Sequence, residues 1–425
     1  MKNRVVITGI GIVSPIGTGI NSFKNALFQG HSGIKFIDEL ANLNFACQVG
    51  GIPEISSSPF INIINNNELA EADTAIKYAV LAGIEAWSSA GFKIPSNNSV
   101  LTNNNTGAII GSCYTGTEIF VRKMYPLICN GNVKKLGSQI VEHWMPSGSA
   151  AALSKILALS NQTTSNSSAC STSIESIIMA YERIQSKKAK VMLAGGTDPY
   201  SPYAWAGFDS MRLLCRKFNE NPKSASRPMS NSAAGFVPSS GAGVLIIEEY
   251  EHAKSRKANI LAEIIGTAIN SGGQRNGGSM TSPNSLQVIN CITKALNQAN
   301  ISGEDISLIS GHLTGTMADS IEVSNWAKAL NLKDNFPYIN APKSMLGHMI
   351  GAAGAVETIA AVLQLHEDFV HPSINCEDLH PEIKKIWDQN KIPHNIIHNA
   401  GLKYIAKAGF GFGDVNSCLI LKKFE

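Results

Sequence analysis

The chain has 425 residues, of which 44% are hydrophobic and 16% are charged, and its formal net charge is +3. That composition suits a globular protein with a large core, and so small a charge argues against a nucleic-acid partner. No apolar run reaches the ~20 residues that a membrane helix needs, so we expect no membrane association and a cytoplasmic location.

Short apolar runs alternate with longer amphipathic segments along the chain. In chain order, the pattern predicts a strand at 4–10, a helix at 75–91, a strand at 106–112, a helix at 173–186, strands at 190–196 and 243–249, a helix at 288–299, a strand at 306–312, a helix at 352–367 and a strand at 417–423. Alternation of this kind favours a layered α/β fold.

Asparagine-rich and glycine-rich segments separate these elements. Residues 62–73 and 96–107 are rich in asparagine and are predicted to be surface loops, and glycine clusters at 9–17, 271–278 and 409–414 predict tight backbone. Residues 5–17 and 261–273 share the order strand, glycine turn and small residues, but this similarity alone does not establish a repeat.

The eight cysteines are scattered along the chain. They show no CxxC spacing and no Cys/His cluster of the zinc type, which predicts that the protein holds no metal. A cytoplasmic chain keeps its thiols reduced, so we expect most of these cysteines to be small core residues.

Cys170 is different, because it stands in SNSSACSTSI (165–174), a run of small residues before a predicted helix. Small neighbours leave room for an acyl group beside the sulfur. The helix start directs N–H groups and the positive end of the helix dipole at the sulfur, which favours the thiolate and suits a developing oxyanion. On this stretch alone, a buried structural cysteine is the commoner explanation.

Two histidine-bearing segments strengthen the catalytic interpretation. His312 follows a predicted strand in SGHLTGTMADSIE, and Lys343 and His348 precede a small-residue helix start in INAPKSMLGHMIGAAGAVE. With Cys170 they form a Cys–His–His set in loops after strands, where α/β proteins build their sites.

Seven motifs together resemble the β-ketoacyl-[acyl-carrier-protein] synthases, the elongating type I/II class of the thiolase superfamily, nearly from end to end. They are VVITGIGIVSPIG (5–17), SACSTS (168–173), VMLAGGTD (191–198), the central segment 224–256, GHLTGT (311–316), KSMLGHMIGAAGAVE (343–357) and FGFGDVN (410–416). The chain departs from the family pattern at several positions, which leaves chain length and exact substrate open: Leu313, Ser239, Ser240, Asp414, Val415 and Tyr114.

The resemblance implies a duplicated, five-layered α/β/α/β/α thiolase-like fold. One half, at residues 1–262, would carry the cysteine, and the other half, at 263–425, would carry both histidines. The implied enzyme is an acyltransferase without cofactor that elongates fatty acyl chains by two carbons. An acyl group moves from acyl carrier protein to Cys170, malonyl-carrier protein loses CO₂, and the resulting carbanion attacks the thioester.

The resemblance also assigns roles to further residues. His312 and His348 would donate hydrogen bonds to the malonyl thioester oxygen, with Lys343 ordering the site and Glu357 organising Lys343. The N–H groups of Cys170 and Phe410 would form the oxyanion hole, and the Phe410 ring would gate the sulfur. Thr314 and Thr316 match the family's phosphopantetheine-binding pair. Three further residues are candidates for the acyl-pocket wall or its gate, although such residues are more often simple core: Tyr114, Trp144 and Met280.

The implied partner is acyl carrier protein, which is acidic, and a basic patch would dock it: Lys134, Lys135, Arg212, Arg216 and Lys217. The family implies a homodimer formed through the first half. Cys418 lies in a predicted strand, which argues against a degradative thiolase with a second catalytic cysteine. A ketosynthase subunit of a polyene or polyketide pathway, paired with a chain-length factor, stays open as the alternative.

Overall fold

The computed structural model describes residues 3–95, 103–273 and 280–425. Residues 96–102 of the second asparagine-rich loop and 274–279 of the second glycine cluster lie outside the described residues. The strands are β1 Val5–Ser14, β2 Gly17–Thr18, β3 Ile34–Phe36, β4 Val49–Gly51, β5 Thr106–Gly111, β6 Thr163–Thr164, β7 Val191–Asp198, β8 Gly241–Glu249, β9 Ala262–Ser271, β10 Leu308–Ser310, β11 Tyr338–Asn340, β12 Phe369–Val370, β13 Ile397–His398, β14 Tyr404–Gly411 and β15 Val415–Lys422.

The α-helices follow the same chain order. They are α1 Ile20–Gln29, α2 Asp38–Asn42, α3 Asn62–Asn66, α4 Thr74–Ser89, α5 Thr117–Ile119, α6 Tyr125–Cys129, α7 Ile140–Trp144, α8 Gly148–Leu157, α9 Thr172–Gln185, α10 Pro202–Ser210, α11 Tyr250–Ser255, α12 Ser285–Ala299, α13 Ala318–Leu330, α14 Lys343–Leu346, α15 Ala353–Glu367 and α16 Pro381–Ile386. Among the described helices, none is both long enough and apolar enough to cross a membrane.

The large mixed sheet has eleven strands in the described residues, and ten of them form two five-stranded sets with the same topology, while the short β2 pairs with β1 outside these sets. The first set has the order β1-β8-β7-β5-β6 and the second has the order β9-β15-β14-β10-β11. In each set the strand that comes first in the chain pairs antiparallel with the strand that comes last in the chain, β1 with β8 and β9 with β15. The two strands at the far edge of each set run parallel, β5 with β6 and β10 with β11. The predicted duplication is therefore confirmed, and the similar segments 5–17 and 261–273 contain the first strand of each set.

Helices α9 and α15 pack between the two sets, and they contact strands of both. Helices α4 and α8 cover the first set from outside, and α12 covers the second set with α13 packed beside it. The order is therefore α/β/α/β/α, as the resemblance implied. Helix α15 is buried on every side over its first thirteen residues, as a helix between two sheets must be.

Close approach of α15 to α9 explains the small residues at its start. A Cβ built on Gly354 would lie 2.5 Å from the Ile174 side chain of α9. The run GAAGAVE therefore brings α15 close enough to α9 for both helices to share one layer, and it fixes the segment just after His348 against the helix that follows Cys170.

All ten predicted elements exist, with ends shifted by a few residues. Two elements that position the site were not predicted. Strand β14 extends through Gly409 and Phe410 to Gly411, so the glycine cluster at 409–414 begins inside a strand. Helix α13 follows the first histidine segment, where serine, aspartate and asparagine weaken the helical pattern.

Candidate active site

Cys170 lies in a tight turn that the small hydroxyl-bearing residues hold together. Ala169 before it has a φ of 48°, a left-handed conformation that costs energy for a residue with a Cβ. The Thr172 hydroxyl accepts a hydrogen bond from the Ser168 N–H at 2.7 Å and donates to the Ala169 carbonyl at 2.6 Å. The serines and threonines around Cys170 thus satisfy the backbone of a strained turn.

The turn is also tied to the second half of the chain. The Ser171 hydroxyl lies 2.9 Å from the Gly409 carbonyl and 3.0 Å from the Val415 carbonyl. A Cβ built on Gly411 would lie 2.9 Å from the Ser168 carbonyl oxygen, so only glycine allows β14 to approach this closely. The glycine-rich segment therefore packs directly against the candidate nucleophile.

His348 contacts Cys170 directly, with its Nε2 3.0 Å from the Sγ. Its Nδ1 lies 3.3 Å from the Ile350 N–H. Because that N–H can only donate, Nδ1 must accept, and Nε2 carries the ring proton. The His348 N–H donates to the Val237 carbonyl at 2.7 Å, which fixes the backbone of the segment.

His312 follows β10, and its ring centroid lies 5.4 Å from that of His348. The Lys343 ammonium donates to the His312 carbonyl at 2.6 Å and lies 3.4 Å from the ring Nδ1. An ammonium also has no acceptor, so His312 Nε2 carries the proton as well. The pair therefore offers two Nε2–H donors.

Burial lowers the pKa of both imidazoles well below the ordinary value, and the positive charge of Lys343 lowers it further. Both rings are consequently neutral near pH 7, which is the state that the two proton positions require. Lys343 itself is buried and is held by Glu357 of α15, which also pairs with Lys407 of β14.

Helix α13 holds the loop that carries His312. Glu322 accepts hydrogen bonds from the N–H groups of His312 and Leu313, at 2.6 and 2.8 Å. Asp319 accepts from Thr314 and Gly315 at 2.9 and 3.0 Å. The sequence motifs had indicated no role for these two carboxylates, and their i, i+3 spacing on a helix was the signal that could have found them.

The depth of burial at Cys170 opposes the thiolate that the sequence favours. Burial raises the pKa of the Cys170 thiol to about 12, although the charge of Lys343 lowers it and the backbone N–H of Phe412 also favours the thiolate. The sequence indicated the favourable helix start but not the depth of burial, and only 8% of Cys170 is exposed. Burial therefore disfavours the thiolate form of the resting side chain.

The prediction for Phe410 also needs correction. The backbone N–H that hydrogen-bonds the Cys170 sulfur is that of Phe412, whereas Phe410 lies inside β14, opposite Asn416 of β15. The Phe410 ring packs edge-on against the His312 ring, with the centroids 6.0 Å apart. The two phenylalanines stand two residues apart in FGFG, and only their placement relative to the strand end distinguishes them.

A cavity of about 580 Å³ opens onto Cys170, His312 and His348. Thr314 and Thr316 line it, and their hydroxyl oxygens lie 3.0 Å apart. Its apolar wall includes a group of residues that the sequence had not indicated: Phe208, Leu213, Phe236, Ile350 and Phe412. A narrow apolar passage with polar groups at its base suits an acyl chain ending at the sulfur.

The residues expected at the acyl-pocket wall do not line this cavity. Among the described residues that line this cavity, Tyr114, Trp144 and Met280 do not occur. Trp144 packs near Phe120, and Met280 is 53% exposed. The Tyr114 ring packs edge-on against Phe208, which does line the cavity.

The residues that depart from the family pattern have defined conformations and contacts in the structure. Leu313 has a φ of 22° and a fully buried side chain. The hydroxyls of Ser239 and Ser240 both bond the Gly51 carbonyl, at 3.2 and 3.3 Å. Asp414 accepts from the Asn284 N–H at 3.0 Å, and this ties the turn between β14 and β15 to the start of α12. Val415 begins β15.

The Cys170 sulfur and nitrogens of the two histidines lie within 4.8 Å of one another. Such a set of thiol and imidazole ligands is close enough to hold a metal ion. The linear spacing of cysteines and histidines gave no indication of this cluster, because the three residues meet only through the fold.

These features define a condensing-enzyme type of site, and the comparison with known families agrees. The family description "Beta-ketoacyl synthase, N-terminal domain" matches residues 2–253, and "Beta-ketoacyl synthase, C-terminal domain" matches residues 261–377. The chain belongs to the β-ketoacyl synthase family.

Curated relatives match over essentially the whole chain. The chain is 33% identical to 3-oxoacyl-[acyl-carrier-protein] synthase I, chloroplastic, of Arabidopsis thaliana, over 100% of this chain and 87% of the relative. It is 36% identical to 3-oxoacyl-[acyl-carrier-protein] synthase 1 of Buchnera aphidicola, over 99% of this chain and 100% of the relative.

Solved structures agree over the full length. A β-ketoacyl synthase from Burkholderia phymatum superposes with a TM-score of 0.88 and 27% identity, covering 100% of both chains. A ketosynthase bound to a hexaketide, in complex with a type II polyketide synthase acyl-carrier protein, gives 0.85 and 27%. The ishigamide ketosynthase/chain length factor gives 0.86 and 25%, and both of these comparisons also cover 100% of each chain.

Proposed function

We propose that the protein is a 3-oxoacyl-[acyl-carrier-protein] synthase, an acyltransferase that elongates fatty acyl chains by decarboxylative condensation. The observation that carries the proposal is the contact of 3.0 Å between Cys170 Sγ and His348 Nε2, beside the His312 ring and at the base of the cavity. A thiol next to two neutral N–H donors suits thioester exchange followed by stabilisation of an enolate.

In the first stage, the Cys170 sulfur attacks the carbonyl of an acyl group carried as a thioester on acyl carrier protein. The N–H groups of Cys170 and Phe412 hold the oxyanion of the tetrahedral intermediate. The bond to the carrier sulfur then breaks, and the thiol proton of Cys170 leaves with the released carrier thiol. This exchange needs no preformed thiolate at rest, in keeping with the burial of Cys170.

In the second stage, malonyl-carrier protein occupies the cavity and its carboxylate leaves as CO₂. The electron pair passes to the thioester, whose enolate oxygen accepts hydrogen bonds from His312 Nε2–H and His348 Nε2–H. The enolate carbon attacks the acyl group on Cys170, and the thiolate that is expelled takes a proton from solvent. The product is a 3-oxoacyl chain two carbons longer.

The substrate arm and its carrier have proposed contacts at the mouth of the cavity. Thr314 and Thr316 offer two hydroxyls to the phosphopantetheine amides, and exposed Arg212 lines the same cavity. The other basic residues of the predicted docking patch are also exposed, and in this proposal they attract the acidic carrier: Arg216, Lys217, Lys134 and Lys135.

Assembly, location and cofactor use belong to the same proposal. We expect a homodimer formed through the first half, in keeping with the symmetry of most soluble oligomers. All eight cysteines are described and none forms a disulfide, which is typical of a reducing compartment such as the cytoplasm. Covalent catalysis by one thiol and two imidazoles requires no cofactor.

The test separates the two stages by intact mass. Purified protein is incubated with acyl-carrier proteins of several chain lengths, and then with malonyl-carrier protein. We expect an acyl adduct that is absent in Cys170→Ala, and a 3-oxoacyl product that falls about 100-fold in His348→Ala. Adducts that persist in Cys170→Ala would refute the assignment of the nucleophile.

A second candidate is a ketosynthase subunit of a polyene or polyketide pathway. The structural similarity to a polyketide ketosynthase complex and to a ketosynthase/chain length factor supports it. The same assay distinguishes the two candidates, because a 3-oxoacyl-[acyl-carrier-protein] synthase of fatty acid elongation needs no chain-length factor. Products that appear only after a chain-length factor is added, or that grow by repeated condensation without reduction, would favour the second candidate.

A further inference from the structure

Lys407 is a buried lysine for which the proposed mechanism has no role. It lies in the middle of β14, in the sequence YIAKAGFG, and its side chain is fully buried. Its strand neighbours Ala406 and Ala408 belong to the outer core against α12 and α13, whereas Ile405 packs in the core around α15. Because side chains alternate along a strand, Lys407 faces the central layer with Ile405.

The ammonium of Lys407 has its partners on three elements. Its Nζ lies 2.7 Å from Glu357 Oε2 of α15, donates to the Ala408 carbonyl at 2.6 Å and lies 3.4 Å from the Ser310 carbonyl of β10. Removing an ammonium from water costs several kcal/mol, and an aliphatic side chain would fill this position without that cost. The charge at this position is therefore better explained by its effect on the neighbouring carboxylate, Glu357.

Glu357 divides its two oxygens between two ammonium groups. Oε1 pairs with Lys343 and Oε2 pairs with Lys407. Two positive charges thus face one negative charge, in a region where all three side chains are buried. Buried charges act on their neighbours more strongly than exposed ones, since little water screens them.

The positive charge of Lys343 lies next to the His312 ring. Lys343 contacts both the carbonyl and the ring of His312, and the charges of Lys343 and Lys407 both act on His312 and His348. Seven charged or titratable side chains surround the imidazole pair or its neighbours: Cys170 before α9, Asp198 of β7, Asp319 and Glu322 of α13, Lys343 of α14, Glu357 of α15 and Lys407 of β14.

We propose that Lys407 is a positioning residue for the decarboxylation stage, an inference that rests on the proposed function. By occupying one oxygen of Glu357, Lys407 prevents that carboxylate from neutralising Lys343 fully. The remaining positive charge stabilises the enolate that forms when the malonyl thioester loses CO₂, acting through Lys343 and His312. The acyl-loading stage depends on other donors, the N–H groups beside Cys170, and is affected little.

The proposal predicts which stage fails when the charge is removed. In Lys407→Met, which keeps an unbranched side chain that is one atom shorter and uncharged, we expect acyl loading of Cys170 to stay within about 3-fold of wild type. We expect CO₂ release from malonyl-carrier protein to fall about 10- to 100-fold. The acid limb of the condensation pH profile should also move to higher pH, because the imidazoles lose a positive neighbour.

A second variant and a control separate charge from structure. Lys407→Gln keeps a donor for the Ala408 carbonyl but no charge, so it should reproduce the defect of Lys407→Met. The control is Lys24→Met, because Lys24 pairs at 2.9 Å with Glu367, the last residue of the same helix α15, at a partly exposed site. That variant should load, decarboxylate and condense as wild type does.

Several results would overturn the proposal. They are wild-type decarboxylation in both Lys407 variants, an equal loss of loading and decarboxylation, an unchanged pH profile, or failure of both variants to fold. A wild-type protein that neither loads acyl groups nor releases CO₂ would instead refute the proposed function, so the two failures are distinguishable.

Discussion

At the scale of the residue, two opposing effects act on the Cys170 sulfur. The start of α9 and the Nε2–H of His348 favour the thiolate, and a helix N-terminus contributes at most about 2 kcal/mol. Burial opposes them and raises the pKa of Cys170 to about 12. The nucleophile is thus protected in the resting protein, and reactivity depends on a substrate that can take its proton.

This ionisation state can be measured by alkylation. Because only the thiolate reacts, the rate of Cys170 alkylation by iodoacetamide should rise about tenfold per pH unit from pH 7 to 9, without a plateau. Peptide mass spectrometry follows Cys170 separately from exposed Cys129, which serves as the internal control. A rate independent of pH above 7 would show that the resting sulfur is already ionised.

How far the sequence predicts the site depends on where each residue stands. Cys170, His312, Lys343 and His348 stand in distinctive motifs, and the fold brings them together. Lys407 carries no such signal, because YIAKAGFG alternates as a strand with one solvent-facing lysine would. The lysine is buried because helices cover both faces of this part of the sheet, with α15 on the face that Lys407 occupies and α12 on the other.

At the scale of the element, α13 is the least obvious contributor to the site. Asp319 and Glu322 stand one turn apart on its buried face, and together they accept hydrogen bonds from four consecutive backbone N–H groups of the loop at 312–315. The helix thereby sets the position of His312. Its sequence is polar enough that the pattern alone did not predict it.

The charge of Glu322 should make stability depend on pH. Burial raises the pKa of Glu322 to about 7, above its ordinary 4.5, and the nearby charge of Asp319 adds to the rise. A carboxyl whose folded pKa is raised contributes stability below 4.5 that is lost as the pH rises through 7. In Glu322→Gln this loss cannot occur.

The difference in unfolding free energy between wild type and Glu322→Gln should therefore shift by about 2 kcal/mol in favour of the variant from pH 5 to pH 8. Urea unfolding across this range measures it. Glu304→Gln, at an exposed glutamate, should follow the wild-type curve. Parallel curves for wild type and Glu322→Gln would show that Glu322 keeps an ordinary pKa in the folded protein.

At the scale of the molecule, the alternating pattern predicted the strands, and the family resemblance predicted the layers. Periodicity alone could not show which helices lie in the middle layer. That position depends on contacts with strands of both sets, which the sequence of a single helix does not reveal. Helices α9 and α15 come from different halves, and one continuous core joins them, with Ile174 and Ile177 of α9 packed among Val356 and Ile359 of α15.

That shared core predicts that neither half folds alone. A chain ending at residue 258, between α11 and β9, would expose the inner face of its sheet and of α9, because α15 and the second set of strands supply their cover. We expect it to lack a cooperative thermal transition and to bind a hydrophobic dye such as ANS. The full chain should unfold in one transition, and co-expression of residues 1–258 with 259–425 should restore it. Cooperative unfolding of the first segment by itself would show instead that the halves are independent domains joined by a surface contact.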